Sequence, residues 1–349
     1  NTLLTESIVP WHRGGRTTLD EFYSEKGYFP ALKPGEKETV SEVNAFERRQ
    51  SVATTIATSF DDWCVYSMIL LKEKSDPNSE FLAHKDLFLK RSQNVLNLYN
   101  EKTGFFHPKD SDGNFIEPFD YRISGGLGFR DYYDENNAWT YRWEPAAFLD
   151  LVSIMGGEKN FERNLDETFL TPIGMHKWRF WGGHAPDQTG NVGQSSMGNE
   201  PSFLIPYLYN RAGAPWKTQK AIRALINTWF RDDLMGVPGD EDGGAMSAFV
   251  VWSMLGLYPN VGKGDYEIGS PFFDEAEITL ESGKKIKILA KNNSRENKYV
   301  KSLKLGGEEI SSSQISHGKI KDGAVLEFEM GNLPIKNIPQ KKQGANSSK

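Results

Sequence analysis

Across the first ~260 residues, apolar positions recur at the spacing of amphipathic helices. Ala53, Ile56, Ala57, Phe60, Cys64, Met68 and Leu71 predict one long helix over residues 48–72. SEFLAHKDLFLKRSQNVLNLY predicts a second over 79–99, and Glu135 to Met155 a third. That third helix is expected to kink or split at Pro145, which has no backbone N–H to donate. Shorter helices are expected over 158–169 and 200–211. PWKTQKAIRALINTWF places Ile222, Leu225, Ile226 and Trp229 on one stripe, with Pro215 suited to the first turn. GDEDGGAMSAFVVWSMLGLYP, from Gly239 to Pro259, supplies the last helix. It is apolar nearly all round, the pattern of a helix enclosed by others.

After Gly262 the period changes. YEIGSPFFDEAEITL, KKIKILAK, YVKSLKL and AVLEFEM alternate apolar and polar residues between Gly, Asn and Ser, which predicts strands of an antiparallel sheet. Helices first and strands afterwards imply separate layers and not a βαβ fold. The expected division is a helical portion over 1–262, an antiparallel β region over 263–335 and a loose polar tail over 336–349. No internal repeat is visible. Paired helices of similar length nonetheless suit an α/α toroid, whose centre is lined by the connecting loops.

Composition narrows the function. Of 349 residues, 38% are apolar, 12% aromatic and 25% charged, and the net charge is −6. Without a concentrated basic face, nucleic-acid binding is disfavoured. No apolar run approaches the roughly 18 residues of a spanning helix. The single cysteine, Cys64, excludes an internal disulfide and reads as a small hydrophobe. Nine tryptophans, 13 tyrosines and 21 phenylalanines exceed an ordinary share of rings, which fill cores but also stack on sugars.

Three loop-to-helix junctions share an acidic, Gly- or Asn-rich composition followed by aromatics. YYDENNAWTYRW carries Asp134, Glu135, Trp139, Tyr141 and Trp143. GGHAPDQTGNVGQSSMGNEPSFLIPYLYN carries His184, Asn199, Glu200 and Tyr207, and GDEDGG carries Asp240, Glu241 and Asp242. Each acid admits two readings. At a helix N-terminus it caps loose amides and meets the favourable end of the dipole. At a shared mouth, the same acids could work as acid and base. In an extended approach, Asp240 and Asp242 would point to one side and could face one water. Trp139 is equally suited to sugar stacking and to packing, whereas Trp143 reads as core. His184, flanked by glycines, is either a polar substrate contact or a surface residue. No Cys/His spacing suggests zinc, so any metal would be a hard ion held by oxygen. Walker-type and Gly-x-Gly-x-x-Gly loops are absent, as is a Gly-x-Ser-x-Gly elbow.

Taken in order, these blocks are specific together. SFDDWCV (59–65), YDENNAWTYRW (133–143), LVSIMGG (151–157), MGNEPSFLIPYLYNRAGAPWKTQ (197–219), GDEDGGAMSAFVVWSMLGLYP (239–259) and YEIGSPFF (266–273) resemble the glycoside hydrolase family 92 α-mannosidases over about residues 20–335. The resemblance implies a mainly α fold: an (α/α)6-barrel portion, incomplete at its N-terminus, followed by a small antiparallel β-sheet or sandwich region. It implies exo-hydrolysis of terminal α-mannosyl linkages with inversion, assisted by Ca2+. By position, Glu135 would be the general acid, with Asp240 and Asp242 the base pair activating water. Asn199 and Glu200 would contact the terminal mannose or its calcium. Trp139, His184 and Asp62 of the first block would join the substrate contacts. Inversion places acid and base roughly 6.5–9.5 Å apart.

Members specific for α-1,2 linkages carry His-Glu where this chain has His184-Ala185, so that preference is not implied. The α-1,3, α-1,4, α-1,6 and phosphodiester linkages stay open, and an acid at Glu135 suits a sugar leaving group. The family's N-terminal β-sandwich and first barrel helices have no counterpart here, and a partner half on this or another chain would complete the pocket. An exported location, periplasmic or at a bacterial surface, follows from the resemblance alone. Two further readings stand beside it. One is a mannose- or glycan-binding component without turnover, and the other is a different α/α-toroid enzyme such as a polysaccharide lyase.

Overall fold

The structure is a computed structural model of the chain, and it describes residues 18–123, 130–174 and 189–336. The α-helices in chain order are α1 (Thr18–Lys26), α2 (Ser51–Ser75), α3 (Lys85–Ser92), α4 (Ala138–Tyr141), α5 (Leu151–Ile154), α6 (Glu158–Leu170), α7 (Pro215–Trp229) and α8 (Ala245–Met254). The chain divides into two compact units, Asn1–Leu151 with Glu167–Ser202 and Val152–Asp166 with Phe203–Lys349.

In the first unit, the start of α2 is the organising feature. Gln50 turns into the left-handed region (φ 45°), and the free amides at the helix entry find backbone carbonyls instead of a side-chain cap. Gln50 N donates to Arg130 O (2.8 Å), Ser51 N to Asp131 O (3.0 Å) and Val52 N to Tyr132 O (2.8 Å). The groups that a helix leaves unsatisfied at its N-terminus therefore fix the path of residues 130–132, immediately before Asp134 and Glu135.

The buried face of α2 matches the expected one only near its start, where Ala53 and Ile56 are buried. Val52, Thr55, Ile56, Ser59, Asp62 and Ile69 are buried, whereas Met68 and Leu71 are exposed and Cys64 is half-buried. Thr55, Ser59 and Asp62 on this face each have a partner. Thr55 Oγ1 accepts from Phe29 N (3.0 Å), Ser59 Oγ accepts from Val95 N (3.1 Å), and Asp62 pairs with Arg91. A periodicity of apolar residues cannot reveal such a face, because these polar side chains are buried only by virtue of their partners.

The helix expected over 79–99 is broken into a 3-10 turn (Glu80–His84), α3 and a second 3-10 turn (Asn94–Leu98). Ser92 Oγ donates to Leu89 O (2.7 Å), a local bond of the kind that competes with helix continuation. β1 (Tyr99–Asn100) and β2 (Phe105–Phe106) then form a short antiparallel hairpin. The split at Pro145 is observed: α4 is followed by a 3-10 turn, Glu144–Ala147, and then by α5. Residues 200–211 form 3-10 turns, Glu200–Ser202 and Ile205–Asn210, each with a proline near its start.

In the second unit, α7 begins at Pro215 and buries Ile222, Leu225 and Ile226 along the expected stripe. α8 is not enclosed: it buries Met246, Phe249 and Ser253, and Val251 is 57% exposed. Phe249 stacks on Phe203 at 4.5 Å.

The described strands of this unit form two sheets. β5 (Leu257–Asn260), β6 (Asp265–Ile268) and β11 (Gln314–Ser316) make a three-stranded antiparallel sheet in the order β11-β6-β5. β7 (Glu275–Thr279), β8 (Lys285–Lys291), β9 (Tyr299–Leu305), β10 (Glu308–Glu309) and β12 (Ala324–Gly331) make a second, ordered β10-β9-β12-β8-β7. One pairing departs from the antiparallel expectation, because β12 runs parallel to β8. β12 carries the most buried row of the sheet, Leu326, Phe328 and Met330, and this apolar row takes the centre. Leu257, Ile268 and Ile315 of the first sheet share one core with Ile288, Leu303 and Phe328 of the second.

A buried carboxylate ties the helical turns of this unit to its strands. Glu267 is 0% exposed, and its Oε1 accepts from Arg211 Nε (3.1 Å), Asn260 Nδ2 (3.2 Å) and Gln314 Nε2 (2.8 Å). Its Oε2 accepts from Asn210 Nδ2 (3.0 Å).

Candidate active site

The first acidic junction is held from both sides. Upstream lies the α2 entry already described. Downstream, Asn137 caps α4, its Oδ1 accepting from Trp139 N (3.0 Å), so the sequence NNAW sets where the helix begins. Its Nδ2 donates to Gln194 Oε1 (2.8 Å), and Thr140 Oγ1 donates to Gln194 O (3.4 Å). Gln194 sits in the hairpin of β3 (Asn191–Val192) and β4 (Ser195–Ser196). That hairpin lies close against the end of α6, since Gln194 N donates to Thr168 O (2.8 Å). At Gly193 (φ 59°), a Cβ would come within 2.5 Å of Thr168 O. Only glycine fits there. The hairpin leads directly to Asn199 and Glu200, so the YDENNAW and GNEP junctions are brought together within one unit. The sequence did not single out Gln194, and its place between the two blocks is the signal that was available.

Glu135 is mostly buried, with 13% of its side chain exposed, and it is ion-paired with Arg130. Arg130 also reaches Glu47 Oε2 (2.8 Å) and Asp134 Oδ1 (3.1 Å), and the Phe46 ring lies 4.7 Å from its guanidinium carbon. Three carboxylates therefore share one guanidinium. Burial pushes the Asp134 carboxyl above the usual carboxylate range, against the pull of Arg130 and with added repulsion from Glu47. Glu144, one turn beyond α4, is pushed up to about 8 by burial and by Asp134. Asn136 is buried.

Trp143 is core: it is 1% exposed, and its Nε1 donates to Thr168 Oγ1 (3.0 Å). Trp139 is half-buried and meets Phe105 edge-on at 4.9 Å. Asp62 is 1% exposed, and both its oxygens face Arg91, at 3.0 Å and 2.9 Å. Burial pushes its carboxyl up to about 7 despite that cation. Asn199 is buried, and its Oδ1 accepts from Glu200 N (3.0 Å). Glu200 opens the 3-10 turn and is half-buried. His184 lies outside the described residues.

The third junction belongs to the second unit. Its capping is done by the middle acid: Glu241 Oε2 accepts from Gly244 N (2.5 Å) and Oε1 from Ser247 N (2.9 Å). The Ser247 hydroxyl, together with the Ser247 and Gly244 amides, holds the Glu241 carboxyl below the usual range. Asp240 and Asp242 are exposed, and their carboxylates have no hydrogen-bond or ion-pair partner among the described residues. The approach to α8 is not the extended one expected. Asp242 (φ 49°), Gly243 (φ 64°) and Gly244 (φ 104°) form a left-handed run, a conformation that Asp tolerates and glycine adopts freely.

Among the described residues, no three His, Cys, Asp or Glu side chains gather as a metal cluster. The oxygen chemistry of Asn199 and Glu200 fits a hard cation, and the Asn199 amide oxygen keeps a second lone pair beyond its bond to Glu200 N.

Comparison with known proteins gives a consistent picture. Residues 4–332 match the model of the glycosyl hydrolase family 92 catalytic domain. An uncharacterized secreted glycosidase of the fungus Arthroderma benhamiae is 29% identical over 306 residues, 81% of this chain and 36% of that protein. A family 92 α-mannosidase structure from Bacteroides thetaiotaomicron is similar with a TM-score of 0.75 at 26% identity, over 94% of this chain and 39% of that one. A family 92 inverting mannosidase from the same organism is similar at 25% identity and a TM-score of 0.75, over 96% of this chain and 43% of that one. This chain thus spans well under half the length of these relatives. Among its described residues, no helix is long and apolar enough to cross a membrane.

Proposed function

Because the chain belongs to glycosyl hydrolase family 92, we propose that it carries the acid- and base-bearing part of an exo-acting, inverting α-mannosidase. The substrate would be a terminal α-mannoside of a glycan or glycoconjugate. Exported action accords with the name of the secreted relative. In this reading the helices form the remaining part of an (α/α)6 barrel, and an N-terminal β-sandwich half completes the pocket.

One observation carries the assignment of roles: of three successive acids before α8, Glu241 alone is committed to capping. Asp240 and Asp242 are left with lone pairs to offer a water, one orienting it and the other taking its proton. Glu135 protonates the departing glycosidic oxygen. To do so it must first part from Arg130, with which it is paired. Trp139, already fixed edge-on by Phe105, offers a ring face to the sugar. Asn199 and Glu200 would hold the calcium ion, which supplies polarisation of the sugar hydroxyls when bound.

The test is hydrolysis of an aryl α-mannoside by the complete protein, with and without a chelator, and NMR of the first-formed anomer. Glu135→Gln and Asp242→Asn should each lower kcat about 10²–10⁴-fold. Near-normal turnover by either variant removes that residue from the mechanism. A second reading, glycan binding without turnover, is favoured by the Arg130 pairing, since a carboxylate held by a guanidinium has no proton to give. Calorimetry with mannose and calcium beside the activity assay separates the two readings.

A further inference from the structure

Arg223, on α7, is buried to 93% and has no carboxylate partner among the described residues. Its bonds go to neutral acceptors: Nε donates to Ser270 Oγ (2.9 Å), and one terminal nitrogen donates to Pro271 O and to Asn293 Oδ1 (2.6 Å). The Phe272 ring lies 4.3 Å from the guanidinium carbon. The other terminal nitrogen has no acceptor among the described residues, although a guanidinium carries five N–H donors. A charge removed from water without a counter-charge is costly, and burial accordingly pulls the Arg223 guanidinium down to about 10.

This side chain lines a cleft of about 450 Å³ that opens to solvent. Arg295, Asn227, Asn293, Phe272 and Asp274 line it with Arg223. Arg295 and the Asp274 carboxylate have no partners among the described residues. Two arginines converging on one cleft match the forked recognition of a phosphate or carboxylate. Asp274 decides between a bare oxyanion and something larger. Its carboxylate repels a bare oxyanion but accepts hydrogen bonds from the hydroxyls of a polyol.

We propose that this cleft binds an anionic sugar, with Arg223 and Arg295 taking the phosphate or carboxylate and Asp274 the ring hydroxyls. The site lies within the second unit, uses none of Glu135, Asp240 or Asp242, and stands whether or not the mannosidase reading holds.

Titration calorimetry of the protein at fixed ionic strength tests it, with glucose 6-phosphate, inorganic phosphate and glucose as probes. Saturable binding of glucose 6-phosphate is expected, at least about tenfold tighter than inorganic phosphate. Arg295→Gln and Asn227→Asp, both at exposed positions, should each weaken it at least about tenfold. Asp274→Asn should narrow the preference for the sugar phosphate by strengthening inorganic phosphate. Binding that is absent, or that persists unchanged in Arg295→Gln and Asn227→Asp, overturns the site. Inorganic phosphate binding as tightly as glucose 6-phosphate overturns the sugar assignment. Arg223→Gln is not needed for the decision, since its loss could unfold the loop at Ser270 and Pro271.

Discussion

Replacing Glu267 with Gln tests how far one buried carboxylate holds the second unit together. The variant keeps one carbonyl oxygen, which can retain the three donors now facing Oε1: Arg211, Asn260 and Gln314. The new amide group then faces the Asn210 amide, donor against donor, where Oε2 now accepts. The larger loss is charge. Arg211 keeps a neutral bond to Asn260 Oδ1 (2.9 Å) but loses the Glu267 charge facing its Nε. Breaking a buried pair from one side costs about 3–5 kcal/mol. The Arg211 side chain is 15% exposed, so water relieves part of this and the lower end, about 3 kcal/mol, is expected. For a unit of this size, that lowers Tm by about 6–12 °C, read by calorimetry beside Asp240→Asn as a surface control. Removing both partners, as Glu267→Met with Arg211→Met, should cost less than the sum of the single changes. A Glu267→Gln variant within about 1 kcal/mol of the parent refutes the reasoning. The carboxylate would then be a passive occupant of a site that packing alone maintains.

Glu144, with a carboxyl near 8 when folded and an ordinary value of 4.5, contributes stability that is complete below about 4.5 and is lost as pH rises toward 8. Glu144→Gln should therefore flatten the fall in stability between pH 5 and pH 8 and be the more stable protein at pH 8; urea unfolding at several pH values would expose an unchanged slope. Trp143→Phe deletes the bond to Thr168 and opens a small void, costing about 1–3 kcal/mol, and a loss under about 0.5 kcal/mol would show that the indole N–H is immaterial. Gly243 meets no atom within 4 Å where a Cβ would stand, so only its backbone conformation matters; Gly243→Asn should be tolerated and Gly243→Val should lower Tm, and equal melting of the two would contradict this. Asp240→Asn should reduce kcat for an aryl α-mannoside while leaving Tm unchanged, and a parallel loss of both would make it a structural residue.

The sequence displayed what depends on local pattern. α7 starts at its proline and buries its apolar stripe, the long α2 is present, and β6 to β9 and β12 fall in the alternating runs, whereas β1 to β5 fall within the portion expected to be helical. The failures have a common cause in long-range partners. The buried face of α2 includes Thr55, Ser59 and Asp62, which look solvent-facing until Phe29, Val95 and Arg91 are placed against them. The parallel pairing of β12 with β8 depends on which apolar row takes the sheet centre, and no local signal carries that. At the candidate site, the acidic junctions were legible as a composition. Which acid caps and which stays uncommitted was not, because the left-handed run at Asp242–Gly244 decides it. Gln194 escaped notice because glutamine in a short hairpin has no chemical signature until Asn137 and Thr140 reach it.

The position of β12 bears on how this polypeptide matures. It leaves the ribosome after β8 and β9, yet it wedges between them. Until residues 324–331 emerge, both earlier strands carry open edges that invite pairing with other nascent chains. The sheet cannot close progressively during synthesis. Its assembly waits for one late segment, which leaves an interval in which chaperones and neighbouring chains compete for the same gap.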